Sequence, residues 1–275
     1  MPNKQYAAPA WAREIEDYKH YLTAAGYRAE SVKTRSRQLV RLSLDLSDVA
    51  PRDVSPRDLL AWFEGKAWSA ETRRSARDAV RLFFAWLVQM GARDDNPAEI
   101  LPKVRRTSPC PHPCPDDLIA DAIARATPEV RMMLRLGAEC GLRRSEIAQV
   151  AAGDVLDAPD GYSLIVHGKG GKQRIVPMPD DLAEEIIAAN GYVFPGRFGG
   201  CVEASYIGKR VGRMLPKGWS CHSLRHRYAT KLYAATMDIM LVSRLLGHES
   251  VVTTQRYVAL PAVRLRDAVA SVTIS

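Results

Sequence analysis

With 275 residues, 47% hydrophobic and 25% charged, the chain has the composition of a folded protein with room for two cores, which excludes disorder. Its 39 Lys and Arg against 31 Asp and Glu give a net charge of +8, pointing to an anionic partner, nucleic acid before a membrane surface. No run reaches the roughly 18 apolar residues of a membrane span, no apolar signal core opens the chain, and five scattered cysteines suit free thiols in a reducing cytosol.

The first ninety-odd residues read as helices joined by short turns. Trp11, Ile15, Tyr18 and Leu22 recur at helical spacing from Trp11 to Ala25, with a stop at Gly26. A second helix is predicted over Ser31 to Leu44, where Lys33, Arg35, Arg37 and Arg41 have no acid among them. Ser55-Pro56-Arg57-Asp58 has the composition of a helix start: a capping hydroxyl, a proline in the first turn and an acid near the positive end. The longest helix, Ala70 to Met90, buries Val80, Phe83, Phe84 and Leu87 and sets Arg73, Arg77 and Arg81 one turn apart beside that face. Two basic stripes in one small helical domain suit phosphate contact; a solvated face is the alternative.

Pro97, Pro102, Pro109, Pro111, Pro113 and Pro115 then crowd the stretch from Asn96 to Asp117, together with Lys103, Arg105 and Arg106. Helix and strand patterns both fail there, which predicts an extended basic linker between domains. Cys110-Pro-His112-Pro-Cys114 has the look of half a zinc site, but no matching pair of ligands follows, and a stiff linker fits better.

Beyond the linker the patterns are mixed. Helices are predicted over Leu118 to Ala126, Glu129 to Cys140, Arg144 to Val150, Asp180 to Ala189, Ala204 to Leu215, Cys221 to Ala235 and Ile239 to Leu246, with an amphipathic segment from Pro261 to about Val272. Tyr162 to His167 and Lys172 to Pro177 flank Gly168-Lys-Gly-Gly171, a β-hairpin with a glycine-rich turn. Fold class is therefore mainly α with a small β-sheet, an α+β arrangement.

Three places carry groups suited to phosphate chemistry. Arg143, in Gly141-Leu-Arg-Arg-Ser-Glu146, sits at a turn that opens a helix and can fork onto an anion, or else make a surface ion pair. Lys169 lies in the hairpin turn, able to donate a proton or simply to be solvated; Walker spacing is absent. The third is the cluster His222-Ser-Leu-Arg225-His226, Leu246-Gly247-His248 and Tyr257. His222 and Arg225 share a helix face, Gly247 marks a helix end, and Tyr257 offers a hydroxyl nucleophile; His226 and Tyr257 also suit buried, packed positions.

The order Gly-Leu-Arg, Gly-Lys-Gly hairpin, His-x-Leu-Arg-His, Leu-Gly-His and Tyr closely resembles the tyrosine recombinase (phage integrase) family, over essentially the whole chain. The resemblance implies a helical, SAM-like core-binding domain (1–95), a basic linker (96–117) and a catalytic domain with a C-terminal tail (118–275), closing as a C-shaped clamp on duplex DNA. It implies that Arg143 and Arg225 hold the scissile phosphate, Lys169 is the general acid, His222 an acid/base partner, His248 a hydrogen-bond donor and Tyr257 the nucleophile of a 3′-phosphotyrosine link. Glu146 and His226 would support them, and no cofactor or metal is needed. The implied activity is site-specific strand exchange, with phage integration and excision ahead of a host Xer-type resolvase, type IB topoisomerase-like relaxation, or a non-enzymatic DNA-binding regulator. Implied partners are core-type DNA sites, a homotetramer on paired sites that is monomeric in free solution, and an accessory directionality factor, all in the bacterial cytoplasm or nucleoid. Cys140 stands where the family often has Thr, Val258-Ala259 follows the Tyr where a His often comes two residues on, and no further domain precedes Trp11, which suggests a simple recombinase without an arm-binding domain.

Overall fold

The computed structural model describes residues 6–105, 111–168 and 171–247. They fall into two compact units, one within Met1–Thr107 and the other within Ser108–Ser275.

Four helices build the first unit: α1 (Pro9–Ala24), α2 (Ala29–Asp45), α3 (Pro56–Glu64) and α4 (Ala70–Gln89). Trp11, Ile15, Tyr18 and Leu22 of α1 are all buried, as their spacing predicts. They meet an aromatic core in which the Trp11 and Phe83 rings stack 6.0 Å apart and Tyr18 meets Phe83 edge-on at 5.4 Å. Ser55 starts α3 through a reciprocal capping box: its hydroxyl accepts from the Asp58 N–H, and the Asp58 carboxylate accepts from the Ser55 N–H.

The proline-rich stretch divides between the units rather than spanning them as one extended linker. Asn96 caps a 3-10 turn at Pro97–Ile100, and Ala98 and Leu101 are fully buried in the first core. Proline breaks regular elements, yet Pro97 fits the first position of a tight turn, and the apolar side chains after it supply the burial. At the other end, the Cys114 N–H donates to the Ser223 carbonyl 3.1 Å away, inside the second unit.

The second unit holds α5 (Asp116–Arg125), α6 (Pro128–Glu139), α7 (Arg144–Gln149), β1 (Val155–Ala158), β2 (Gly161–His167), β3 (Gln173–Pro177), α8 (Asp180–Ala188), α9 (Ala204–Met214), α10 (Cys221–Thr236) and α11 (Ile239–Leu246). The sheet is antiparallel in the order β1-β2-β3, with Leu164 opposite Val176 and Val166 opposite Arg174. Leu164, Val166 and Val176 face a core that also takes Met133, Leu134, Leu142, Ile147, Ile207 and Leu224. Strand β1 escapes sequence reading because its four residues are too few to show an alternation. Among the described residues, no helix is long and apolar enough to cross a membrane.

Phe83→Ala should destabilise the first unit by about 3–5 kcal/mol. Hydrogen exchange should find the lost protection in α1, α2 and α4, with the core amides of α6 and α10 unchanged.

Candidate active site

The site is assembled around the end of α6. Gly141 takes φ +65, which an L side chain rarely adopts, and a Cβ there would run into the Tyr228 ring, whose Cε1 would be 2.9 Å away. This turn lets Leu142 drop into the core and makes Arg143 the N-cap of α7. Glu146 stands three residues on, and its Oε2 accepts from the Arg143 backbone N–H at 2.9 Å.

Three guanidiniums from three elements surround the Glu146 carboxylate, which is almost wholly buried. Arg143 reaches Oε1 at 2.7 Å. Arg174 of β3 forks onto both oxygens, at 3.0 and 2.7 Å. Arg225 of α10 lies 3.7 Å from Oε2 and is only 1% exposed. Burial alone would raise the Glu146 pKa, but hydrogen bonding and charge from Arg174, then the Arg143 N–H and Arg225, hold it down at about 2. One negative charge against three positive ones leaves an excess that attracts an anion.

The same arginines finish α11. This helix starts on Asp238, whose Oδ1 accepts from the Met240 and Leu241 N–H groups, and ends at Gly247 with φ +64. Its last carbonyls have no partner within the helix. Arg174 Nε donates to the Leu245 carbonyl at 2.7 Å, Arg225 to that of Leu246 at 2.5 Å, and Arg143 approaches Leu246 and Gly247 at 3.5 Å. A second Arg225 donor goes to the Gly141 carbonyl at 2.6 Å.

His222, in the first turn of α10, is exposed beside this cluster. Desolvation and then the Arg225 and Arg143 charges lower its pKa, favouring the neutral imidazole. His226 lies one turn on, with its ring 4.6 Å from that of His222. Buried, and near His222, His112 and Arg225, it is pushed down to about 4 and stays neutral. Its Nδ1 accepts from the His112 N–H at 3.1 Å, and the His112 ring lies flat on Trp219 at 3.9 Å. Asp116, at the head of α5, pairs with Arg227 and Lys231 of α10. The segment entering the second unit is thus fastened along the helix that carries His222 and Arg225.

Arg143, Glu146, His222, Arg225 and His226 therefore come together from separate stretches of sequence. Lys169, His248 and Tyr257 lie outside the described residues, as do Arg106, Cys110 and the amphipathic segment after Pro261. Sequence reasoning missed Arg174. Its signal was phase: Arg174 shares a strand face with buried Val176, while Ile175 between them is 57% exposed, so a guanidinium points inward and needs buried acceptors. Among the described residues, no cluster of three or more His, Cys, Asp or Glu is placed to hold a metal ion.

The basic residues of the first unit divide. Lys33, Arg37 and Arg41 of α2 are exposed, Arg35 is half-buried over the Tyr27 ring at 4.3 Å, and Lys103 and Arg105 are exposed. The stripe on α4 is corrected. Arg73 donates to the Phe63 and Lys66 carbonyls, and buried Arg77 to that of Leu101, so both guanidiniums serve backbone groups left open by α3 and the 3-10 turn. Arg81 is half-buried.

The family model described as Phage integrase family matches residues 117–263. The tyrosine recombinase XerC of Rhodospirillum centenum is 30% identical, covering 96% of this chain and 86% of its own length. The tyrosine recombinase XerD of Rhizobium meliloti is also 30% identical, over 94% of this chain and 86% of its own. The solved structure of a lambda integrase tetramer bound to a Holliday junction has the same fold, with a TM-score of 0.71 at 16% identity over 90% of this chain and 76% of that one.

Because the Glu146 pKa is lowered from 4.5 to about 2, its contribution to stability is full above pH 4.5 and disappears as pH falls toward 2. That contribution is on the order of 3 kcal/mol. Glu146→Gln should flatten acid unfolding in this window and cost about 3–5 kcal/mol at neutral pH, because buried guanidiniums lose their counter-charge. Denaturant titrations at several pH values, followed by circular dichroism, measure both effects.

Proposed function

Because the chain belongs to the phage integrase family of tyrosine recombinases, we propose that it is a site-specific DNA recombinase that cuts and rejoins strands through a 3′-phosphotyrosine intermediate. The observation that carries this reading is the concentration of Arg143, Arg174 and Arg225 around a single carboxylate, with His222 at its edge. A phosphodiester gathers negative charge in its transition state, and prearranged cations stabilise that charge without reorganising.

In this reading the Tyr257 hydroxyl attacks the scissile phosphorus while Lys169 protonates the departing 5′-oxygen. Arg143, the more exposed guanidinium, takes one non-bridging oxygen. For Arg225, a phosphate oxygen replaces the Leu246 carbonyl that it now holds. His222, neutral and exposed, exchanges the nucleophile's proton, and His248 donates a hydrogen bond to the phosphate. A 5′-hydroxyl from the second strand then attacks the phosphotyrosine, releasing Tyr257 and conserving the bond, so no nucleotide is consumed.

Lys33, Arg37 and Arg41, with Arg35, Lys103, Arg105 and Arg106, would meet the DNA backbone, whose affinity falls with salt as counterions are released. The first unit would then serve as the core-binding domain, acting on duplex DNA in the bacterial cytoplasm. Strand exchange between two sites requires several subunits, and a lambda integrase tetramer on a Holliday junction supports a homotetramer here. The segment after Tyr257 is suited to docking on a neighbouring subunit. A second reading, resolution of the Xer type in place of phage integration, is favoured by relatives such as these XerC and XerD proteins, which match nearly the whole chain.

Tyr257→Phe should abolish covalent adducts on a nicked duplex while leaving DNA affinity unchanged. Adducts that persist in this variant remove Tyr257 from the role, and a wild-type protein that forms none is a binding protein. Relaxation of supercoils without exchange between two sites would identify a topoisomerase instead.

A further inference from the structure

Arg174 is a heavily engaged guanidinium of the second unit to which the steps above assign no contact with the phosphate. Its terminal nitrogens take both oxygens of Glu146, and its Nε takes the Leu245 carbonyl in the last turn of α11. The side chain is only 10% exposed. Gly247 closes over it so tightly that a Cβ there would lie 2.9 Å from Arg174 Cδ and 3.3 Å from its terminal nitrogen. A single planar group therefore joins β3, the N-terminus of α7 and the C-terminus of α11. Lysine cannot do this, because an ammonium is a point charge on a flexible stem and lacks the fork that spans a carboxylate and a carbonyl together.

Without this crosspiece two things loosen. The Glu146 carboxylate keeps the Arg143 guanidinium at 2.7 Å, the Arg143 backbone N–H at 2.9 Å and Arg225 at 3.7 Å, but it loses the side chain that forks onto both of its oxygens. The end of α11, two residues before His248 in sequence, loses its tie to the sheet through Arg174. From this geometry we infer that Arg174 is a positioning residue, which holds the start of α7, with Arg143, and the end of α11 in one fixed arrangement around the place where phosphate meets Arg143. The inference rests on the recombinase reading for its effect on cleavage, but the tie between β3 and α11 stands apart from it.

The test uses the full chain as wild type, Arg174→Gln and Arg174→Lys. It measures single-turnover adduct formation on a nicked duplex across pH, affinity for the uncleaved duplex, and hydrogen exchange at the α11 amides. Arg174→Gln should bind DNA as wild type does, exchange faster at Leu245 to Gly247, and form adducts about a hundredfold more slowly, as expected when reacting groups are displaced by about 1 Å. Its cleavage should also fail at higher pH on the acid side, since Glu146 has lost the partner that contributes most to keeping it ionised. Arg174→Lys should recover part of the rate, and it provides the measurement if the glutamine variant does not fold. Wild-type cleavage and exchange in both variants overturns the inference. So does a slower rate with an unmoved pH profile and unchanged α11 exchange, which marks a merely destabilised protein. If wild type forms no adduct while exchange at α11 rises in Arg174→Gln, the positioning role holds and the recombinase reading falls.

Discussion

The second unit depends on a carboxylate that water cannot reach. Glu146 is taken from solvent at a cost that only close, well-aligned counter-charges can offset. It obtains them from the start of α7, from β3 and from α10. A carboxylate that must be satisfied from three directions forces those elements into a single arrangement, and alternatives leave a buried charge unpaired. Its fourth bond, to the Arg143 N–H, also fixes where α7 begins.

The arginines gain from the same arrangement. Guanidiniums gathered in one place repel one another, and Glu146 offsets part of that repulsion while the rest remains available to an anion. The end of α11 adds further negative character through its open carbonyls and helix dipole. Arg225 shows the balance: it is buried and bonded to two carbonyls, yet it remains positively charged. The Gly141 and Leu246 carbonyls hold its guanidinium in place without cancelling that charge.

Much of this was legible in the sequence, for local reasons. Ile239–Leu246 stands as predicted because an aspartate starts it and a glycine ends it. The β2–β3 hairpin follows from two short apolar-bearing runs on either side of a glycine-rich turn, and the meeting of Arg143, His222 and Arg225 from a motif order specific enough to override weak individual signals. What escaped depends on tertiary partners. Arg73 and Arg77 look like a solvent-facing stripe until the open carbonyls of Phe63, Lys66 and Leu101 are placed beside them. Ala98 and Leu101 look like linker because proline content hides how well two apolar side chains can fill a core. Arg174 was concealed by its neighbours, since a lone arginine in a short strand reads as exposed until the strand's inward phase is fixed by Val176.

The fastening of residues 112 to 116 along α10 bears on where the chain can be divided. Counting helices, the second unit begins at Asp116, the first residue of α5. A fragment cut there would leave the Trp219 indole bare, the Ser223 carbonyl without its Cys114 donor and the His226 ring without its His112 donor. The five residues from Pro111 to Pro115 form no helix or strand, yet they cover one side of the helix that bears His222 and Arg225. By topology they are a connection; by packing they are part of the wall of the site, and the natural seam of the molecule lies ahead of them.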